Sequence, residues 1–179
     1  MKKRASPVLS ILTRYMIILF AFIPNLWLFY LVFTPLTVYP LYFLFNLFFG
    51  ASLLGNNIIL VANSVPVELI DACIAGSAYA LLFLLNMSVP DIEISKRIKM
   101  IAFSFLLLLT ANITRIFLLT LVFMEGNSFF DEAHKFFWYA ISTILVVAIW
   151  FFEVKIFRIK EIPVYSDLKI LCKNVRKKS

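Results

Sequence analysis

The chain has 179 residues, 63% of them hydrophobic and only 15% charged, with 20 Phe and 4 Gly. Soluble domains run nearer to about half apolar and about a quarter charged, so this balance excludes a disordered chain, a collagen-like chain, a disulfide scaffold and a soluble globular domain. Its natural solvent is a bilayer, and the net charge of +7, held mainly in short flanking runs, suits anionic lipid head groups better than nucleic acid.

A spanning helix needs about 20 apolar residues. Residues 15–34 qualify, with Pro24 as an expected kink. Residues 36–54 also qualify, with Pro40 near their start. The stretch 56–68 (NNIILVANSVPVE) is too short and polar to span, and it reads as extended up to Pro66. A third span runs from about Leu69 to Val89, with Asp71 and Cys73 in its first turn, and Pro90 closes it. The segment 91–99 (DIEISKRIK) reads as a charged loop. A fourth span covers 100–123, interrupted only by Asn112 and Arg115, and a polar loop follows at 125–135. A fifth span runs from about Phe136 to Phe152. The first segment is too long and lacks the small-residue site of a cleaved signal peptide.

The expected fold is therefore all-α. It is a polytopic membrane helix bundle of about five to six transmembrane helices, with a short extended segment before the third main span. One integral membrane domain fills 1–179, with a core over 15–157 and a basic tail over 158–179.

Charge sets the orientation. Lys96, Arg97, Lys99, Lys155, Arg158, Lys160 and the basic residues of the tail lie on one side. The other side carries Lys135 against Glu68, Asp71, Glu125, Asp131 and Glu132. The positive-inside rule puts the first side, with the C-terminus, in the cytoplasm. With five spans the N-terminus falls outside, yet Lys2, Lys3, Arg4 and Arg14 ask for the inside. That conflict stays open in the sequence.

Cys73 and Cys172 cannot make a disulfide framework, and His134 is the only histidine, so no metal cluster is expected. With no Gly-rich phosphate loop and no G-x-S-x-G, no cofactor is expected either. Three residues do carry chemistry. Arg115 stands about 12 Å below the outer end of its span, since eight residues separate it from Phe123. An arginine there costs roughly 2.5–3.5 kcal/mol on insertion scales. It is either an anchor to a neighbouring helix or a functional cation, and Asn112 shares its face. Cys73 is either a small packing residue among Ala72, Ala75, Gly76 and Ala78 or a thiol favoured by a helix N-terminus. His134 alone reads as a surface residue, but it heads the last span on the same side as the other two. A thiol, a cation and a base at one depth have the makings of a cysteine acyl-transfer site.

This order of residues resembles the exosortase/archaeosortase family, polytopic membrane proteins regarded as cysteine transpeptidases. The resemblance rests on D-A-C-I-A-G-S-A at 71–78, N-I-T-R-I at 112–116 and E-A-H-K at 132–135, and it covers about 55–140. It places the family nucleophile on Cys73, the family arginine on Arg115 and the third position on His134. The family commonly has A-C-S-G, whereas here Ile74 and Ala75 stand between Cys73 and Gly76. In length the chain is closest to small archaeal members.

The resemblance implies cleavage of a C-terminal sorting signal of exported proteins at the outer face of the cell membrane. Such substrates carry a short motif, a single span and a basic cluster. The acyl group would pass through a Cys73 thioester to a lipid or glycan amine, or to water. Membrane lipids and these exported proteins are the expected partners, with no nucleic acid. The competing expectation is a non-enzymatic transport or assembly subunit, in which Arg115 and Asn112 make interhelical contacts.

Overall fold

The computed structural model describes residues 7–22, 26–126, 142–159, 163 and 167. In chain order these form α1 (Pro7–Phe22), α2 (Trp27–Phe49), β1 (Ala51–Leu53), β2 (Ile58–Val61), β3 (Val65–Glu68), α3 (Asp71–Ile74), α4 (Gly76–Ser88), α5 (Ile94–Met124) and α6 (Ser142–Ile156). Helix dominates, with one small antiparallel sheet. Trp27–Phe49, Asp71–Ser88 and Ile94–Met124 are each long and apolar enough to cross a membrane. Phe43, Leu47, Leu106, Leu118 and Phe151 stand exposed on the helices, a surface compatible with lipid.

The helix boundaries differ from those read in the sequence. The break expected at Thr34–Pro35 does not occur, and α2 runs unbroken through Pro35 and Pro40. Proline removes an amide and is costly inside a helix in water. Apolar helices tolerate it where neighbours and local adjustment accommodate the freed carbonyls. The chain turns instead just before α2, where Leu26 is left-handed (φ 61°) and its carbonyl accepts from the amides of Phe29 and Tyr30.

The packing shows how α1 and α2 are related. Tyr15 of α1 lies beside Ser88, at the end of α4. Phe22, later in α1, meets Phe29 of α2 edge-on at 6.4 Å. Phe29 then meets Phe83, and Phe33 stacks on Tyr79 at 3.5 Å. These contacts climb α4 from its end toward its start, first along α1 and then along α2. The two helices therefore run head to tail in one direction, rather than folding back as a hairpin.

The segment 91–99 is not wholly a loop, because α5 begins at Ile94. Its buried residues, Arg97, Met100, Ser104, Leu108, Asn112, Ile116 and Thr120, fall three or four apart. That spacing makes one stripe along a helix. At 31 residues α5 is about 46 Å long, more than the roughly 30 Å hydrocarbon layer. A helix of that length leaves room for its basic first turns outside such a layer. Arg97 turns inward there and donates to the carbonyls of Met87 (3.0 Å) and Val89 (2.7 Å), closing the end of α4. Nearby, Asn86 donates to the carboxylate of Glu153 at 3.1 Å, and both residues are fully buried. The last span, expected to end at about Phe152, continues in α6 to Ile156. Arg14 of α1 forms a buried ion pair with Asp167, far along the chain.

The extended segment expected at 56–68 is present as β2 and β3, and β1 joins it from residues read as span. The strand order is β1-β2-β3, with Ser52 opposite Leu60 and Ile59 opposite Val67. Ala62 and Asn63 take positive φ (51° and 53°) between β2 and β3, and the Ser64 amide closes on the carbonyl of Val61. Positive φ at a hairpin turn matches the twist of its strands. The sheet follows directly from the end of α2, where Phe49 faces Phe117 of α5.

Candidate functional site

Cys73 does not stand in the first turn of a long helix, as the sequence suggested. It lies in the single turn α3, which Ala75 separates from α4 by a left-handed residue (φ 61°). The break is hydrogen-bonded on both sides. The Ala75 amide donates to Asp71 O at 3.2 Å, and its carbonyl accepts from Ala78 (3.0 Å) and Tyr79 (3.3 Å). A left-handed residue with a Cβ costs about 1–2 kcal/mol. Glycine stands at the next position instead, for a packing reason. A Cβ on Gly76 would come within 2.7 Å of the Tyr30 ring, so this is where α2 and α4 approach closely.

The Cys73 amide donates to Ile70 O at 2.8 Å. A single turn carries little helix dipole, and the thiol is met instead by the main chain of Ile70 and by a cation. The half-buried Cys73 and Arg115 line one cavity of about 200 Å³ and lie within electrostatic reach of each other. The cavity wall is otherwise mainly apolar, with Ile116, Leu119 and Phe123 from α5 and Leu69 from the strand end. Such surroundings strengthen electrostatic interactions.

Asn112 sets the register of the pair. Its side-chain amide donates to the Cys73 carbonyl at 2.7 Å, tying α3 to α5 one turn before Arg115. The sequence put Asn112 on the face of Arg115 but could not show where its amide would bond. Arg115 also lines a second, more open cavity of about 550 Å³ with Tyr30, Asp71, Ala75, Thr143 and Val146. Its side chain thus reaches both the thiol cavity and the start of α6. Among the described residues it is the only cation lining either cavity.

His134 and Cys172 lie outside the described residues. The structure therefore brings together two of the three expected site residues. It adds two features the sequence did not indicate, the close approach at Tyr30–Gly76 and the run of β3 along the cavity. Among the described residues no cluster of three His, Cys, Asp or Glu is placed to hold a metal ion. Comparisons of the chain with protein-family models, with curated proteins and with solved structures found no match.

Proposed function

We propose that the protein is a membrane-embedded cysteine protease or transpeptidase that acts on the C-terminal sorting signals of exported proteins. The observation that carries this reading is the cavity shared by Cys73 and Arg115, which lie far apart in sequence. A thiol beside a fixed cation, in apolar walls at the end of a bundle, suits acyl transfer.

In this reaction the Cys73 thiolate adds to a backbone carbonyl carbon of the substrate. The carbonyl oxygen becomes an oxyanion, which Arg115 stabilises. Collapse breaks the C–N bond, leaving a thioester on Sγ, and the departing amine takes the proton that the thiol gave up. His134 is assigned the role of carrying that proton. A lipid or glycan amine then attacks the thioester, or water does, and the thiol is restored. Apolar walls disfavour the competing attack by water.

The head-to-tail run of α1 and α2 supports four crossings in place of five or six. One is the broken passage α1–α2, and the others are 71–88, α5 and α6. Both ends of the chain then fall on the basic side, which the positive-inside rule assigns to the cytoplasm. This removes the conflict over Lys2, Lys3, Arg4 and Arg14, and it leaves Cys73 facing outward in a multi-pass cell-membrane protein.

One observation favours a second reading, a non-enzymatic membrane subunit, because Asn112 does make an interhelical bond. The test uses membranes containing a candidate exported protein from the same genome, with loss of its C-terminal span scored by mass. Wild type is compared with Cys73→Ala, Cys73→Ser and His134→Ala at matched expression. Loss of processing in folded Cys73→Ala supports the thiol mechanism, and retained processing returns Arg115 and Asn112 to structural roles.

A further inference from the structure

Among the described residues the sheet has a free edge at β3, and it borders the thiol cavity. β3 is paired with β2 on one side and has no described strand on the other. The Leu69 amide donates to Asn57 O at 2.8 Å, back toward β2. In an antiparallel ladder successive residues alternate in direction, so Val65, Val67 and Leu69 face β2. The main-chain groups of Pro66 and Glu68 therefore face outward. Proline stands at a position where its missing amide costs no ladder bond, as edge prolines do. The outward edge offers one donor, the Glu68 N–H, and two acceptors, the carbonyls of Pro66 and Glu68.

Four consecutive residues, Pro66 to Leu69, line the cavity that holds Cys73 and Arg115. Alternate side chains of a strand point to opposite faces. A cavity met by every residue in turn runs along the strand's edge rather than over one face. The exposed Glu68 makes its rim acidic on the strand side.

We infer that β3 is a docking edge on which the substrate segment binds extended, as a fourth strand, with its main chain paired to Pro66 and Glu68 and its scissile carbonyl delivered to Cys73. This rests on the transpeptidase reading and specifies how the substrate is held. Recognition runs through the peptide backbone, as in other strand-addition complexes. The acidic rim favours a neutral or basic side chain opposite Glu68. The occupant is thus an extended, non-acidic polypeptide segment of about four residues, the length of β3.

The test uses the full chain in membranes and the segment that wild type cleaves, made as a synthetic peptide with one N-methylated amide at a time. Whether the added strand is parallel or antiparallel, its amides bonding Pro66 O and Glu68 O are two residues apart. Methylating either is expected to lower processing about tenfold or more, and methylating the amide between them is not. Glu68→Pro removes the outward donor without touching the β2 ladder, and the same loss is expected. Alkylation of Cys73 by iodoacetamide at the wild-type rate would show that this variant keeps its fold. Wild-type processing by folded Glu68→Pro overturns the docking edge, as does methyl sensitivity without the two-residue period. If Glu68→Pro does not fold, the methyl scan alone decides. Processing that survives Cys73→Ala is a separate result, and it overturns the transpeptidase reading along with the edge.

Discussion

Asn112, buried on α5, donates its side-chain amide to the main-chain carbonyl of Cys73 at 2.7 Å. This one bond holds the short turn α3 against the helix that carries Arg115. Asn112→Ala leaves a partly buried carbonyl without that donor, which is expected to cost about 1–2 kcal/mol. It should also loosen the thiol's position, so processing falls although Cys73 and Arg115 are intact. Thermal unfolding in detergent and the alkylation rate of Cys73 measure the two effects separately.

Arg115 is expected to act on the thiol by its charge. Arg115→Gln should slow alkylation of Cys73 about tenfold at fixed pH, equivalent to about 1.4 kcal/mol of lost thiolate stabilisation. Arg115→Lys keeps the charge but loses the planar fork. It should recover much of the alkylation rate and less of the processing. Equal alkylation rates in wild type and Arg115→Gln would remove the cation from the mechanism.

Ala75 pins the break between α3 and α4. Glycine adopts positive φ at no steric cost, so Ala75→Gly should hold stability or raise it by about 0.5–1 kcal/mol. A β-branched residue is a poor fit there. Ala75→Val should therefore lose about 1–2 kcal/mol, and it should slow processing more than Ala75→Gly does. Midpoints of thermal unfolding for the two variants test the sign.

At the opposite end of the bundle, one carboxyl oxygen of Glu153 and the side-chain oxygen of Asn86 are buried and face no donor among the described residues. A glutamine at 153 can present an N–H toward Asn86 while still accepting its amide. Glu153→Gln should therefore match or exceed wild-type stability. Glu153→Ala strands Asn86 and opens a void, at an expected cost of about 2–4 kcal/mol. A Gln variant as unstable as the Ala variant would show that the charge itself is needed.

Much of the membrane class was legible in the apolar runs, because lipid sets the helix lengths whatever the helices pack against. Helix boundaries were less so. The division between spans 15–34 and 36–54 was misplaced, because hydropathy alone does not mark where one apolar helix ends, and α2 passes through Pro35 and Pro40. The direction of α1 could not be read from residues 7–22, since it depends on Phe22 meeting Phe29 and Tyr15 reaching Ser88. At the site, the order of the motifs put Cys73 and Arg115 on one side of the membrane, and the structure puts them in one cavity. The edge of β3 was hidden because strand pairing between Asn57 and Leu69 leaves no periodic trace in so short a segment. The burial of Glu153 was not legible because its partner, Asn86, comes from a different helix.

The ion pair between Arg14 and Asp167 joins positions 153 residues apart. During synthesis Arg14 reaches the membrane long before its counter-charge exists. Burying an arginine without its counter-charge is costly, so α1 cannot take its final seat until Asp167 has left the ribosome. Its final seating is therefore a late event. Chains cut short before Asp167 should be the ones that quality control removes.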